Sequence, residues 1–387
     1  MRDIAIIGAS YLQVPLIEKA REMGLTTHVF AWEAGAVGEK IADHFYPISI
    51  TKKEAILEKC REIGISGITS IASDLAAVTV NYVAKKLGLP GNSEECALLS
   101  TNKHEMRMAF ERGGDPSVKS ILVNSADEIK DISIDYPIIV KPLDRSGSRG
   151  ITKLYDESGL TGAIENAKEE GFIKAALIEE YAHGNEYSVE CISYHGEHHF
   201  IAMTEKFTTG APHFIETAHL EPTGVSPELI EKVKDTVFHA LDTLNITDSA
   251  SHSELKIDEN GNIKIIEIGG RMGGDLIGSD LVFLSTGYDF LEAAIDVALG
   301  RKIPAFSGSE SCAAAVRYVF GEEDIEVLDR LLIEHPEFLV RKDVRAITDS
   351  VVSDSSERFG YFMMKGPSRE ALLPYLPAQP IESEERL

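Results

Sequence analysis

Two glutamates, Glu254 and Glu267, flank Asn260-Gly261 inside the run from Ala250 to Gly274. Residues on both sides alternate and are β-branched, and Asn-Gly is the strongest short hairpin signal, because a type I′ turn needs positive φ at both central residues. A two-residue turn sets Glu254 directly across from Glu267, with Cβ atoms about 5 Å apart on one face. Like charges at that distance repel. The pairing is tolerated if one carboxyl holds a proton or if a hard divalent cation lies between them, and such oxygens suit Mg²⁺ that also touches substrate phosphates. An exposed hairpin with solvated acids is the plain alternative. Next along the chain, Gly269-Gly270-Arg271-Met272-Gly273-Gly274 sets a guanidinium among glycines, which suits close backbone approach to an anion and a two-pronged grip on it. Metal, anion and arginine together point to phosphoryl chemistry.

Further candidates lie upstream. Lys141 ends the apolar run Pro137-Ile138-Ile139-Val140, and Asp144-Arg145-Ser146-Gly147-Ser148-Arg149-Gly150 follows it. A loop of small residues with two arginines can fold its N–H groups over a polyphosphate, although it lacks the G-x-x-x-x-G-K-[ST] pattern. The same loop also suits a mobile hairpin tip, and Lys103 and Lys141 also suit a surface. The link Glu179-Glu180-Tyr181-Ala182 offers main-chain groups to a base edge, and Glu186 can accept from ribose hydroxyls; a plain strand connection would read the same way. Glu216 and His219 stand three apart between Pro212 and Pro222. Asp74 follows a buried strand, where open α/β sheets meet ligands; it reads either as a contact for a substrate amine or as a helix N-cap.

These residues need a scaffold, and the pattern supplies one. Residues 1–95 alternate strand and helix, as a parallel α/β sheet requires: strands at Ile4–Ile7, Thr26–Phe30, Ile48–Ile50 and Gly67–Ile71, with helices after Gly8-Ala9-Ser10, at Lys52–Ile63 and at Leu75–Leu87. The first turn lacks G-x-G-x-x-G, which weakens any dinucleotide reading. Residues 96–305 read as α+β, with an ATP-binding or lid part at 117–184 and a central metal-binding sheet at 185–305. The helix at Pro227–Leu244 is amphipathic, with apolar positions from Ile230 to Leu244. Residues 306–387 read as a small closing subdomain whose strands are Cys312–Phe320 and Tyr361–Lys365. With 38 basic against 63 acidic residues, the formal charge of −25 argues against nucleic acid or an anionic membrane as partner, so an anionic ligand needs a local basic pocket. Cys60, Cys96, Cys191 and Cys312 are scattered, as reduced core thiols are. The chain opens directly into a strand and has no apolar run of spanning length, so a soluble cytoplasmic protein is expected, with a homodimer the default assembly.

Taken in order, these motifs resemble those of ATP-grasp carboxylate–amine ligases, most closely the L-amino-acid ligase, or dipeptide synthetase, branch. The resemblance covers nearly the whole chain. It implies an N-terminal Rossmann-like preATP-grasp domain, then ATP held between two α+β halves, with Lys103 and Lys141 on its phosphates. The Arg145 to Gly150 loop would close over them, the Glu179 to Ala182 link would hold adenine, and Glu186 the ribose. Glu254 and Glu267 would bind two Mg²⁺, with Mn²⁺ an alternative, and Arg271 would hold the transferred phosphate. Glu216 and His219 match a Glu-x-x-His pair near the substrates, and Asp275 stands to meet an ammonium or to cap a helix. His219 would stabilise the tetrahedral intermediate or serve structure alone. Many relatives read Glu-x-Asn-x-Arg where this chain has Glu267-Ile268-Gly269-Gly270-Arg271, so water would replace the asparagine ligand. The expected reaction joins an amino-acid carboxylate to an amine with ADP and phosphate released. A purine-pathway enzyme acting with formate or bicarbonate needs a sugar-phosphate pocket that the sequence does not display. A non-catalytic nucleotide-binding protein would be expected to have lost these metal ligands, and a nicotinamide oxidoreductase needs the missing glycine fingerprint.

Overall fold

The computed structural model describes residues 2–33, 35–125, 133–145, 147, 149–306, 312–348 and 350–379. The N-terminal sheet is parallel, in the order β3-β2-β1-β4, built from β1 (Asp3–Ile7), β2 (Thr26–Phe30), β3 (His44–Tyr46) and β4 (Gly67–Thr69). Ile4, Ile6 and Ile7 are buried on both faces by α1 (Val14–Glu22), α2 (Lys53–Ile63) and α3 (Asp74–Leu87), as a parallel sheet demands. One expectation is corrected here: the third strand is His44–Tyr46, and Ile48 and Ile50 pack instead as side chains against the core. Helix α3 is capped by Ser73, whose hydroxyl accepts from the Ala76 amide at 3.2 Å, so Asp74 is its first residue and not its cap.

Two short helices, α4 (Glu94–Leu99) and α5 (Lys103–Gly113), lead into a four-stranded antiparallel sheet of order β5-β8-β6-β7, formed by β5 (Ser120–Val123), β6 (Ile138–Pro142), β7 (Thr152–Leu154) and β8 (Ala176–Glu180). Helix α6 (Leu160–Glu170) covers it with Ala163, Ile164 and Ala167. Lys141 therefore comes from an interior strand and the glycine-arginine loop is the β6–β7 turn.

The largest sheet is eight-stranded, in the order β13-β12-β9-β10-β11-β14-β16-β15. Its first strands are β9 (Asn185–Tyr194), β10 (Glu197–Thr208), β11 (Glu216–Glu221), β12 (Ser249–Ile257) and β13 (Ile263–Gly269). Helix α7 (Pro227–Thr243) packs on it through Val233, Val237, Ala240 and Leu241, the face that the sequence period gives. After α8 (Val282–Thr286) and α9 (Phe290–Ala298), the strands β14 (Ala313–Val319), β15 (Leu339–Val344) and β16 (Gly360–Gly366) extend this same sheet beyond residue 305. Helices α10 (Glu322–Glu334) and α11 (Arg369–Leu372) bury their apolar faces against it. Strand β15 has no clear sequence signal, because Leu339-Val340-Arg341-Lys342-Asp343-Val344 is a charged edge strand; edges carry charge to prevent pairing with other chains. The mixed α/β and α+β class expected from the sequence is borne out.

Candidate active site

Glu254 does pair with Glu267, but by a route the sequence did not display. The turn holds three residues, Glu259-Asn260-Gly261, and Asp258 Oδ1 accepts from the amides of Asn260 and Asn262 at 2.9 and 2.8 Å. Only Gly261 of the Asn-Gly pair takes positive φ, +74°, so the expected type I′ turn gives way to a longer one. Near this turn Leu255 pairs with Ile265, and a bulge then shifts the register so that Glu254 faces Glu267.

The repulsion between the two acids is relieved by cations of the chain itself. Lys206, from β10, sets Nζ 2.7 Å from Glu254, 2.8 Å from Glu186 and 3.6 Å from Glu216. Lys103 sets Nζ 2.7 Å from Glu267 and donates to the Arg145 carbonyl at 3.0 Å. His252 is bound to the buried Glu190 and lies 3.4 Å from Glu254. Burial opposes its charge, yet Glu190 and Glu254 prevail and lift its pKa to about 9. Burial likewise opposes ionisation of Glu254, but Lys206 and His252 outweigh it and hold the carboxyl well below its usual range. Sequence reasoning missed Lys206 and His252 as partners, since the acids of Lys206, and Glu190 beside His252, come from other strands.

Whether the pair suits a metal follows from its donors. Among the described residues no three His, Cys, Asp or Glu side chains gather as an ion cage. Glu254 and Glu267 offer hard oxygens in the number Mg²⁺ takes from protein when phosphates and water complete its shell, so they fit an ion that arrives with a nucleotide.

Arg271 Nε lies 2.7 Å from Asp74 Oδ1. Asp74 is thus the partner of Arg271 and, with Ser73 as the cap, not a helix cap. A Cβ on Gly269 would sit 3.0 Å from Arg271 Cζ, so the glycine in place of an asparagine leaves room for the guanidinium to fold back. Lys141 Nζ is 2.6 Å from Glu179, whose other oxygen takes a 2.8 Å bond from Arg107 Nε. With this carboxylate committed and buried, Glu179 anchors charge, and only the backbone of the 179–182 link is left to meet a base. Burial pushes the pKa of Lys141 down, and Arg107 and Lys103 act in the same direction against Glu179. Glu180 accepts from the Lys119 amide at 3.1 Å, and Tyr181 carries Lys153 over its ring at 3.4 Å.

In the β6–β7 turn the Arg145 guanidinium lies over Phe172 at 4.7 Å. Gly147 and Arg149 face the cleft; Gly150 does not, and packs against Pro142 and Glu170. Ser146 and Ser148 lie outside the described residues.

At the opposite end, His219 is fully buried, 4.0 Å from Asp275 and edge-on to Tyr318 at 5.6 Å. Burial lowers its pKa, which keeps the ring neutral. Glu216 accepts from Ser355 Oγ at 3.2 Å. Asp275 neither caps a helix nor stands free: both its oxygens accept from Arg358, at 2.9 to 3.1 Å. Arg358 also donates to the carbonyls of Ser355 and Glu216 and lies 3.7 Å over Tyr318. It reaches the site from 83 positions after its partner Asp275, too far for local spacing to link them.

Asp74, Lys103, Lys141, Arg145, Glu179 to Ala182, Glu186, Lys206, Glu216, His219, Glu254, Glu267, Arg271 and Asp275 line a single cleft of about 880 Å³. Residues 134–280, which carry most of them, match the family described as the ATP-grasp domain. This stretch is similar to an ATP-grasp domain. The chain is 24% identical over 331 residues to carnosine synthase 1 of Mus musculus, covering 77% of this chain and 40% of that one. It is 27% identical over 271 residues to the alanine–anticapsin ligase of Bacillus amyloliquefaciens, covering 61% and 57%. It spans about half the length of these curated relatives. The crystal structure of the L-amino acid ligase from Bacillus licheniformis superimposes with a TM-score of 0.80 at 19% identity, over 97% of this chain and 96% of that one, which shows a shared ATP-grasp fold. The resemblance to the ligases of this family, with an L-amino-acid ligase branch among its neighbours, is borne out. Among the described residues no helix is long and apolar enough to cross a membrane.

Proposed function

We propose that this protein is an ADP-forming ligase that activates an amino-acid carboxylate as an acyl phosphate and couples it to an amine, giving an amide or dipeptide. The observation that carries this reading is the pairing in one cleft of two facing glutamates with Arg271, Lys103 and Lys141. A carboxylate is a poor electrophile, and a phosphoryl group converts its oxygen into a leaving group that an amine can displace.

Lys103 and Lys141 bind the nucleotide phosphates, exchanging their carboxylate partners Glu267 and Glu179 for phosphate oxygens. Glu254 and Glu267 hold Mg²⁺, two ions in the expected count, and bound Mg²⁺ neutralises charge on the transferring phosphoryl group. Arg271 leaves Asp74 to grip that group and the acyl phosphate formed from it. Asp74, once released, accepts from the ammonium of a substrate amino acid. The β6–β7 turn closes over the phosphates and excludes water that would hydrolyse the intermediate. His219, neutral and buried, is placed to donate toward the tetrahedral oxyanion.

The test is Mg²⁺-dependent nucleotide turnover over single and paired L-amino acids, with products weighed by mass spectrometry. ADP and phosphate form only with particular pairs, and the product is lighter than the pair by one water. Glu267→Gln lowers kcat by about 10²- to 10³-fold with the far-ultraviolet dichroism unchanged. Wild-type turnover by that variant overturns the metal assignment, and AMP or no turnover over the whole matrix overturns the ligase reading.

A further inference from the structure

In an open parallel sheet, ligands meet the carboxyl ends of the strands. Strands β3, β2, β1 and β4 lie side by side, so the segments that follow them share one edge of the N-terminal domain. That edge delivers Tyr11, Trp32, Ile50, Leu75 and Val78 to the cleft wall. Tyr11, Trp32 and Leu75 stay 57%, 70% and 41% exposed. Large apolar side chains left in water on the wall of a binding cleft are the informative exception to burial. No glycine fingerprint turns this edge toward a dinucleotide, and its position turns it toward the reacting centre. Ile71 bridges Met272, the Ala72 amide donates to the Met272 carbonyl at 3.1 Å, and Asp74 pairs with Arg271. The apolar wall therefore begins beside the guanidinium that would grip the activated carboxyl group.

We infer that this wall is the side-chain subsite of the carboxylate substrate, and that it takes an amino acid with an apolar side chain, its carboxylate toward Arg271. The inference rests on the ligase reading for its orientation. Ser10, Ser49 and Ser73 line the same edge, but only an aliphatic or aromatic side chain gains by covering the exposed Tyr11, Trp32 and Leu75.

Trp32 is the single tryptophan of the chain, so its emission reports the subsite without any turnover. The full chain with saturating Mg²⁺ and ADP is titrated with L-leucine and with L-asparagine, which has the same branched shape and a polar end. Leucine produces a saturable change in emission with a Kd at least about 10-fold below that of asparagine. Leu75→Asn, which leaves Trp32 in place, raises the leucine Kd at least about 5-fold while the unfolding midpoint is retained. Equal affinities for the two amino acids, or no emission change with either, overturn the subsite. Selective leucine binding without ADP formation in any pairing sustains the subsite and removes the ligase reading. ADP formation confined to polar carboxylate substrates does the reverse.

Discussion

Arg358 shows how one residue fixes a corner of this site. Its guanidinium is 5% exposed and spends its donors on Asp275, Glu216 and Ser355, while its face covers Tyr318. Asp275 is held at φ +50°, where a non-glycine residue persists only if its surroundings dictate it. Replacing Arg358 with methionine keeps much of the volume and leaves the half-buried Asp275 without its counter-charge, so Arg358→Met is expected to cost about 1–3 kcal/mol at pH 7. The pH dependence distinguishes this cause from lost packing. In the parent chain burial disfavours the Asp275 carboxylate, but Arg358 outweighs it and depresses the pKa. The pair's contribution is therefore present above the ordinary carboxylate value and is lost only as pH falls through the depressed one. In the variant burial is opposed only by the neighbouring His219, so the folded pKa rises from its depressed position and protonation on acidification recovers part of the stability. Urea unfolding from pH 7 to pH 5 should thus narrow the gap between the two proteins; a constant gap assigns the loss to packing.

At the scale of elements, the link between β8 and β9 is tightly specified. Gly184 has φ +104°, and a Cβ there would lie 2.1 Å from the Ile257 carbonyl oxygen. The link is pressed against the end of β12, beside the Tyr181 and Ala182 backbone proposed to meet the base. Gly184→Ala is expected to destabilise the fold by about 1–3 kcal/mol from backbone strain and displacement. It should also raise KM for ATP more than KM for the amino substrates; an equal rise in both places the link away from the base. This link was visible in the sequence as a glycine between two strand patterns, and so were the opposed glutamates, although the three-residue turn alone would set them on opposite faces and the bulge at Glu254 restores the pairing. The turn itself was misjudged, since Asp258 captures the backbone amides and outcompetes the Asn-Gly preference. Lys206, His252 and Arg358 were not legible as site residues. Lys206 and Arg358 act through carboxylates far away in the chain, and His252 is held mainly by Glu190 of β9, so spacing alone does not encode these neighbours.

For the whole molecule, the balance of charge shapes how an anionic nucleotide reaches the cleft. The chain carries a formal −25, yet its ligand would be a polyanion. Five of the cleft cations do not offset this at a distance, because they stand matched with acids: Lys103 with Glu267, Lys141 with Glu179, Lys206 with Glu254 and Glu186, Arg271 with Asp74, and Arg358 with Asp275. At low salt, with a Debye length of about 30 Å at 0.01 M, an approaching nucleotide meets the net negative charge of the chain. Phosphate is recognised only after arrival, when it takes the place of a carboxylate beside each cation. Screening should therefore help the encounter, and the association rate constant of Mg²⁺·ATP in stopped-flow measurements should rise as ionic strength increases from about 0.01 M to about 0.15 M. A rate that falls over this range would mean that the cleft projects a net positive field in the free protein, and that the ion pairs open before the nucleotide arrives.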